Sequence, residues 1–132
     1  MDNDNLKNID IYLKITEYKR SIGTTQWTVM SIFVTASEVV LAFSIQQLEF
    51  TTALSVRIFG LLIYWFGFSL FIRYRALNEQ VSNYLLQLEK ENGLNFQAYL
   101  NDTFHKKGIA TKWILLLFGV IYSGFALLIS LI

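Results

Sequence analysis

Three stretches of the chain are almost free of charged residues. No Asp, Glu, Lys or Arg occurs in residues 58–72 or 113–132, and Glu38 is the only one in residues 21–48. A helix needs about 20 predominantly apolar residues to cross a bilayer. The pattern therefore predicts three membrane-spanning helices, over residues 22–46, 52–72 and 113–132.

Apolar residues at helical spacing continue before the first span and after the second. They recur every three or four residues over 11–22 and over 77–88, and no helix breaker separates these stretches from the spans. The pattern predicts long helices over residues 8–46 and 52–91, the second stopped before Gly93. Each would be about 60 Å long, twice the roughly 30 Å hydrocarbon core, so up to half should protrude as a two-helix stem.

The rest of the chain completes an all-α fold. Its pattern predicts a short amphipathic helix over residues 95–105, then a turn at Lys106, Lys107 and Gly108 into the third span. We therefore expect residues 1–132 to form one all-α membrane domain. Small residues on the second and third spans favour close helix packing, namely Gly60, Gly67, Gly119 and Ser123.

The composition agrees with a membrane protein and argues against an enzyme. Hydrophobic residues make up 54% of the chain and charged residues only 16%, against about 25% charged in soluble domains. Cysteine is absent, His105 is the only histidine, and no ligand spacing for a metal occurs. The sequence also lacks a Gly-rich phosphate loop and a nucleophile arrangement, so we expect no catalytic residue, metal or cofactor.

The basic residues predict the orientation in the membrane. Ten of the eleven Lys and Arg lie in residues 7–20 and 73–112, and the eleventh is Arg57. Because loops rich in Lys and Arg stay in the cytoplasm, these two segments should be cytoplasmic. The loop over residues 47–51 and the C-terminus should then face outside.

The hairpin between the first two helices predicts a register. If the turn centres near residues 48–49, the numbers of facing residues sum to about 97. Lys19 then faces Glu79, and Glu38 lies near Arg57. Opposite charges meet in both pairs, which favours this register more than it adds stability.

Polar residues form a continuous stripe on the first span. We call it the polar stripe; at steps of four, three, four, three and four residues it contains Thr24, Thr28, Ser31, Thr35, Glu38 and Ala42. One interpretation is a pore-lining face in a homo-oligomer, with Glu38 forming a ring of carboxylates. The other is a packing face between helices, with Glu38 paired to Arg57, which otherwise reaches toward the outer surface.

Basic residues also cluster where the spans meet the cytoplasm. They account for the orientation and for attraction to anionic lipid. A second interpretation is an anionic-ligand site at the mouth of an oligomer, because symmetry would repeat each charge around the axis. The candidate ligand-binding residues are Lys19, Arg20, Arg73, Arg75, Lys106 and Lys107.

Two boundary stretches, YKRSIGTTQWT at residues 18–28 and IRYRAL at residues 72–77, mix basic and aromatic residues. With the layout of the spans, they resemble the small multi-span membrane proteins encoded in bacterial anti-phage defence operons. The chain is similar in size and layout to the effector channel of the Hailong type. The resemblance implies an effector in the bacterial inner (cytoplasmic) membrane, controlled by an operon-encoded sensor or nucleotidyltransferase. For the Hailong type it implies a gate held shut by an oligodeoxyadenylate at the basic cytoplasmic mouth.

Three functional hypotheses follow. The first is a homo-oligomeric gated ion channel of a bacterial defence system, lined by the polar stripe and controlled by a nucleotide-type ligand or a partner. The second is a small proton-coupled transporter that uses Glu38. A carboxylate in the first span resembles the small multidrug resistance family, although members of that family have four short spans and this chain has three. The third is a non-conducting anchor whose long helices dock a cytoplasmic protein through Leu77, Val81 and Leu88.

Overall fold

The computed structural model describes residues 3–45, 49–93 and 96–128 of the chain, with side chains described for 7–45, 49–93 and 111–128. The described residues form three α-helices and contain no strand. Helix α1 covers Asn3–Phe43, α2 covers Phe50–Asn92 and α3 covers Phe96–Leu128. The prediction of an all-α chain with two long helices followed by a third is confirmed.

All three helices are long and apolar enough to cross a membrane. Their apolar windows have mean hydropathies of 1.4, 1.7 and 1.7. The chain is therefore a multi-pass membrane protein. With 41 and 43 residues, α1 and α2 each measure about 60 Å, well beyond the roughly 30 Å of a hydrocarbon core. We call their paired ends away from the hairpin, residues 7–20 of α1 and 75–93 of α2, the distal segment.

The ends of the first two helices follow the local backbone chemistry. Helix α1 ends at Phe43, where the Ser44 amide donates a 3.0 Å hydrogen bond to the Leu41 carbonyl. The predicted end of this helix at residue 46 lies outside the described residues. Helix α2 ends where the sequence predicts, because Gly93 adopts a left-handed conformation with φ 67° and donates its amide to the Glu89 carbonyl. Glycine takes positive φ without steric cost.

The third helix corrects one prediction. A short helix over residues 95–105, a turn, and a span over 113–132 were expected, and the structure instead has a single 33-residue helix, Phe96–Leu128. Gly108 is the weakest helix former near the expected turn. Glycine within a helix costs about 1 kcal/mol relative to alanine. Because no proline is present, the helical turns on both sides are stable enough to outweigh this cost. Side chains over 96–110 and residues 129–132 lie outside the described part of the chain.

Helices α1 and α2 pack antiparallel in the predicted register. The Gln26 side-chain amide donates to the Phe71 carbonyl at 3.4 Å. The Ser37 hydroxyl donates to the Gly60 carbonyl at 2.7 Å. In both pairs the residue numbers sum to 97, as predicted. In the distal segment the Tyr12 hydroxyl reaches the Glu89 carboxylate at 2.7 Å, an offset of about one helical turn.

Helix α3 docks on the middle of α2. Tyr64 is fully buried at this junction, and its hydroxyl donates to the Leu115 carbonyl at 2.9 Å. The Trp65 indole donates to the Ser123 hydroxyl at 3.1 Å. Gly119 permits the approach, since a Cβ there would lie 2.6 Å from the Tyr64 ring. Close packing at this small residue is as predicted. The buried core consists of Met30, Tyr64, Phe68 and Phe71.

Candidate functional site

The polar stripe is exposed along its whole length. All six of its residues, from Thr24 to Ala42, are classed as exposed in the chain. On a helix with 3.6 residues per turn their side chains fall within an arc of about 80°. The structure therefore brings these residues together on one face, as the spacing predicts.

The opposite face of α1 is the one that packs against the rest of the chain. Its buried residues are Ile22, Gln26, Met30, Ser37 and Ser44. These positions lie on the side of the helix away from the polar stripe, and three of them, Gln26, Ser37 and Ser44, hydrogen-bond directly to α2. From Thr24 to Thr35 the polar stripe therefore faces away from α2, whereas Glu38 and Ala42 at its other end border a cavity that α2 and α3 also line.

Three hydroxyl groups of the stripe donate to the backbone of their own helix. Thr24 donates to the Arg20 carbonyl at 3.2 Å, and Thr28 donates to the Thr24 carbonyl at 3.0 Å. Ser31 donates to the Thr28 carbonyl at 2.9 Å. These bonds satisfy the hydrogens but leave the hydroxyl oxygens able to accept from water. The exposed face thus presents acceptor oxygens outward.

Glu38 belongs to two surfaces at once. It lies on the polar stripe, and it lines a cavity of about 230 Å³ where the three helices meet near the hairpin. The opposite wall of this cavity includes Arg57, Tyr122 and Phe125. An ionised carboxylate in a membrane interior is costly and normally faces protein, water or an ion. Glu38 is therefore the residue of this face that most requires a polar surrounding.

Arg57 is on α2, where it lines the cavity and does not extend the polar stripe of α1. Its guanidinium Nε donates to the Ser44 hydroxyl at 3.2 Å, which connects α2 to the end of α1. Arg57 is half-buried and lines the same cavity as Glu38. The register prediction that these two residues are neighbours agrees with this shared cavity.

Ser37 is a site residue that sequence reasoning missed. It is fully buried, and its hydroxyl donates to the Gly60 carbonyl and lies 3.2 Å from the Tyr122 hydroxyl. One side chain thereby joins all three helices directly beside Glu38. The available signal was the register, which places Ser37 opposite a glycine with an accessible backbone carbonyl.

The four predicted ligand-binding cations whose side chains the structure describes do not all lie on one surface. Lys19 is half-buried toward α2, where burial lowers its pKa and the negative charge of Glu89 acts in the opposite direction. Arg20 is exposed on the same side of α1 as the polar stripe. On α2, Arg73 is exposed and Arg75 is half-buried. The side chains of the two remaining candidates, Lys106 and Lys107, lie outside the described residues.

Among the residues that the structure describes, no group of three or more His, Cys, Asp or Glu could hold a metal ion. Comparisons with protein-family models, with curated proteins and with solved structures find no match to this chain.

Proposed function

We propose that this chain assembles as a homo-oligomer in which the α1 helices turn the polar stripe toward a shared, water-filled pore, forming a gated ion channel. One observation carries the proposal. The stripe is exposed over its full length, from Thr24 to Ala42, on the face of α1 opposite to the one that packs on α2.

The energetics of the membrane support assembly. In a lone chain the stripe would expose Glu38 and several hydroxyl oxygens to lipid. A charged carboxylate within a span costs up to about 2.5–3.5 kcal/mol on insertion scales, the value for the centre of the span. Surrounding the stripe with other copies of α1 replaces this lipid contact by water and protein, so burial of the stripe favours the oligomer.

The chemistry of the stripe favours a wet pore over a dry interface. Symmetry would bring one Glu38 from each copy to the same height around the axis. Like charges at close range are tolerated only with water or cations between them. We therefore propose that Glu38 makes the pore favour cations, with the acceptor oxygens of Thr28, Ser31 and Thr35 replacing part of their hydration.

The proposed cellular location of the channel combines the orientation predicted from the basic residues with the resemblance to defence effectors. The distal segment would form a cytoplasmic stem, with the hairpin and the C-terminal end of α3 outside. The resemblance to anti-phage effectors supports a role in the bacterial inner membrane, where uncontrolled conduction would stop the growth of an infected cell. An anionic nucleotide or a sensor protein would control the channel at its cytoplasmic mouth, where Arg20 lies on the stripe side.

Membrane potential tests this proposal. Bacteria expressing the chain should depolarise, as measured with a voltage-sensitive dye, whereas the double variant Ser31→Trp/Thr35→Trp should not. The matched control is Ile32→Trp, since Ile32 is also exposed but lies outside the polar stripe. Depolarisation that survives the double variant at equal membrane levels would show that ions do not pass along this face.

The cavity beside Glu38 favours a second candidate function, a small proton-coupled transporter. Its volume of about 230 Å³ and its lining by Arg57, Tyr122 and Phe125 suit a small amphipathic substrate. The variant Glu38→Gln separates the two functions. A channel would keep its conductance and lose cation preference, whereas a proton-coupled transporter would lose substrate efflux altogether.

A further inference from the structure

The exposed face that carries the polar stripe continues beyond the membrane. Leu13, Glu17 and Arg20 precede Thr24 by eleven, seven and four residues and are all exposed. Steps of three and four residues keep them within the same arc of α1. The stripe thus extends into the distal segment, where it changes from hydroxyl groups to two opposite charges and then to an aliphatic side chain.

Leu13 is the most exposed aliphatic residue described in this segment of α1. Its side chain is 60% exposed beside the Asp10–Lys14 ion pair at 2.8 Å, and Ile9, one turn earlier on the same side, is 41% exposed. Helix α2 does not cover it, because the adjacent Tyr12 is the residue turned toward α2, where its hydroxyl bonds to Glu89. An exposed leucine outside the hydrocarbon core gains free energy when another apolar surface covers it.

We propose that Leu13 is the gate of the channel, an inference that rests on the proposed function. In the oligomer the surface covering Leu13 is Leu13 of the neighbouring copies, which meet around the axis below the membrane. A ring of aliphatic side chains narrow enough to exclude water closes a pore to ions without a plug. The pore is therefore polar in the membrane, and in its closed state an apolar constriction in the cytoplasmic stem blocks it.

Charge complementarity supports a second copy as the occupant of this face. Glu17 and Arg20 lie one helical turn apart on the stripe side, with opposite charges. Parallel copies at the same height place Arg20 of one copy beside Glu17 of the next, which favours the in-register ring that the gate requires. Tyr12 is a positioning residue here, because its bond to Glu89 fixes the rotation of α1 that turns Leu13 toward the axis.

The first test measures conductance of the full-length protein in planar lipid bilayers. Leu13→Ser should raise the open probability at least about tenfold, which corresponds to about 1.4 kcal/mol. The matched control is Ile11→Ser, since Ile11 is 38% exposed in the same segment but lies on another side of α1. We expect the control to stay within about twofold of the wild type.

The second test requires no conductance. The chain contains no cysteine, so the variants Leu13→Cys and Ile11→Cys each carry a single thiol. Oxidation in native membranes should link copies through Leu13→Cys and not through Ile11→Cys.

If Thr35→Cys conducts and reacts with water-soluble reagents but Leu13→Cys does not cross-link, the gate is refuted and the pore stands. If Leu13→Cys cross-links but Leu13→Ser does not open the channel, Leu13 is a contact and not a gate. If no variant conducts or cross-links, the proposed function itself fails.

Discussion

Gly67 is the position at which the packing of α1 on α2 is most sensitive to a single methyl group. A Cβ on Gly67 would overlap the Cβ of Phe33 and lie 2.8 Å from its Cγ. The Phe33 Cβ is fixed to the α1 backbone and cannot rotate away. The variant Gly67→Ala therefore forces the two helices apart.

The magnitude combines two costs and one gain in stability. Overpacking a close interface costs about 1–3 kcal/mol. Moving the helices also lengthens the bonds from Ser37 and Gln26 to α2, at roughly 0.6 kcal/mol each on average in a membrane protein. The higher helix propensity of alanine offsets up to about 1 kcal/mol of this loss. We expect Gly67→Ala to lower the free energy of unfolding by about 1–3 kcal/mol.

Two other glycines provide matched controls. Gly124 has no atom within 4 Å of a built Cβ, so Gly124→Ala should leave the stability unchanged or raise it by up to about 1 kcal/mol. A Cβ on Gly60 would lie 3.1 Å from the Leu41 Cγ and 3.4 Å from the Ser37 carbonyl oxygen, so the cost of Gly60→Ala should be intermediate. Unfolding in mixed micelles, followed by tryptophan fluorescence as SDS is added, gives the free energies. Equal stability for Gly67→Ala and Gly124→Ala would refute the close approach of the helices.

Further substitutions test other contacts in the same assay or by hydrogen exchange. Ser37→Ala removes the hydroxyl that joins three helices and should cost about 1 kcal/mol, whereas no loss would show that the junction contributes nothing. Trp65→Phe removes the indole bond to Ser123 and should make α3 more accessible to protease, with an expected cost of about 0.5–1 kcal/mol. Tyr12→Phe takes a donor from the carboxylate of Glu89, which is only 2% exposed, and should speed amide exchange in the distal segment about tenfold or more. Unchanged exchange in Tyr12→Phe would show that this bond does not hold the segment together.

The spans and the register of the hairpin could be predicted because each depends on a regular pattern. Charge-free stretches mark the hydrocarbon core whatever the neighbouring helices do. The end of α2 before Gly93 could be predicted because glycine favours the left-handed conformation that terminates a helix. The continuous α3 was missed because Gly108 is a weak signal, and helix continuity depends on how stable the turns on both sides are.

The face of α1 that meets α2 could not be predicted in the same way. Hydroxyl and small side chains suit both a helix interface and a pore wall, so the stripe from Thr24 to Ala42 supports either interpretation. The choice of face depends on the shape of α2, where Gly60 and Gly67 admit Ser37 and Phe33. The sequence likewise treats Lys19 and Arg20 as one basic cluster, although consecutive residues point about 100° apart on a helix.

Thiol accessibility along α1 tests the central claim most directly, because the chain has no cysteine of its own. Single-cysteine variants at Thr35, Ile32 and Ser37 would be exposed to a charged, membrane-impermeant reagent in intact membranes. The account predicts that Thr35→Cys reacts and that its conductance falls as it reacts. Ile32→Cys faces lipid and Ser37→Cys is buried between helices, so both should remain unmodified. Reaction at Thr35→Cys no faster than at Ile32→Cys would contradict a water-filled pore along the polar stripe.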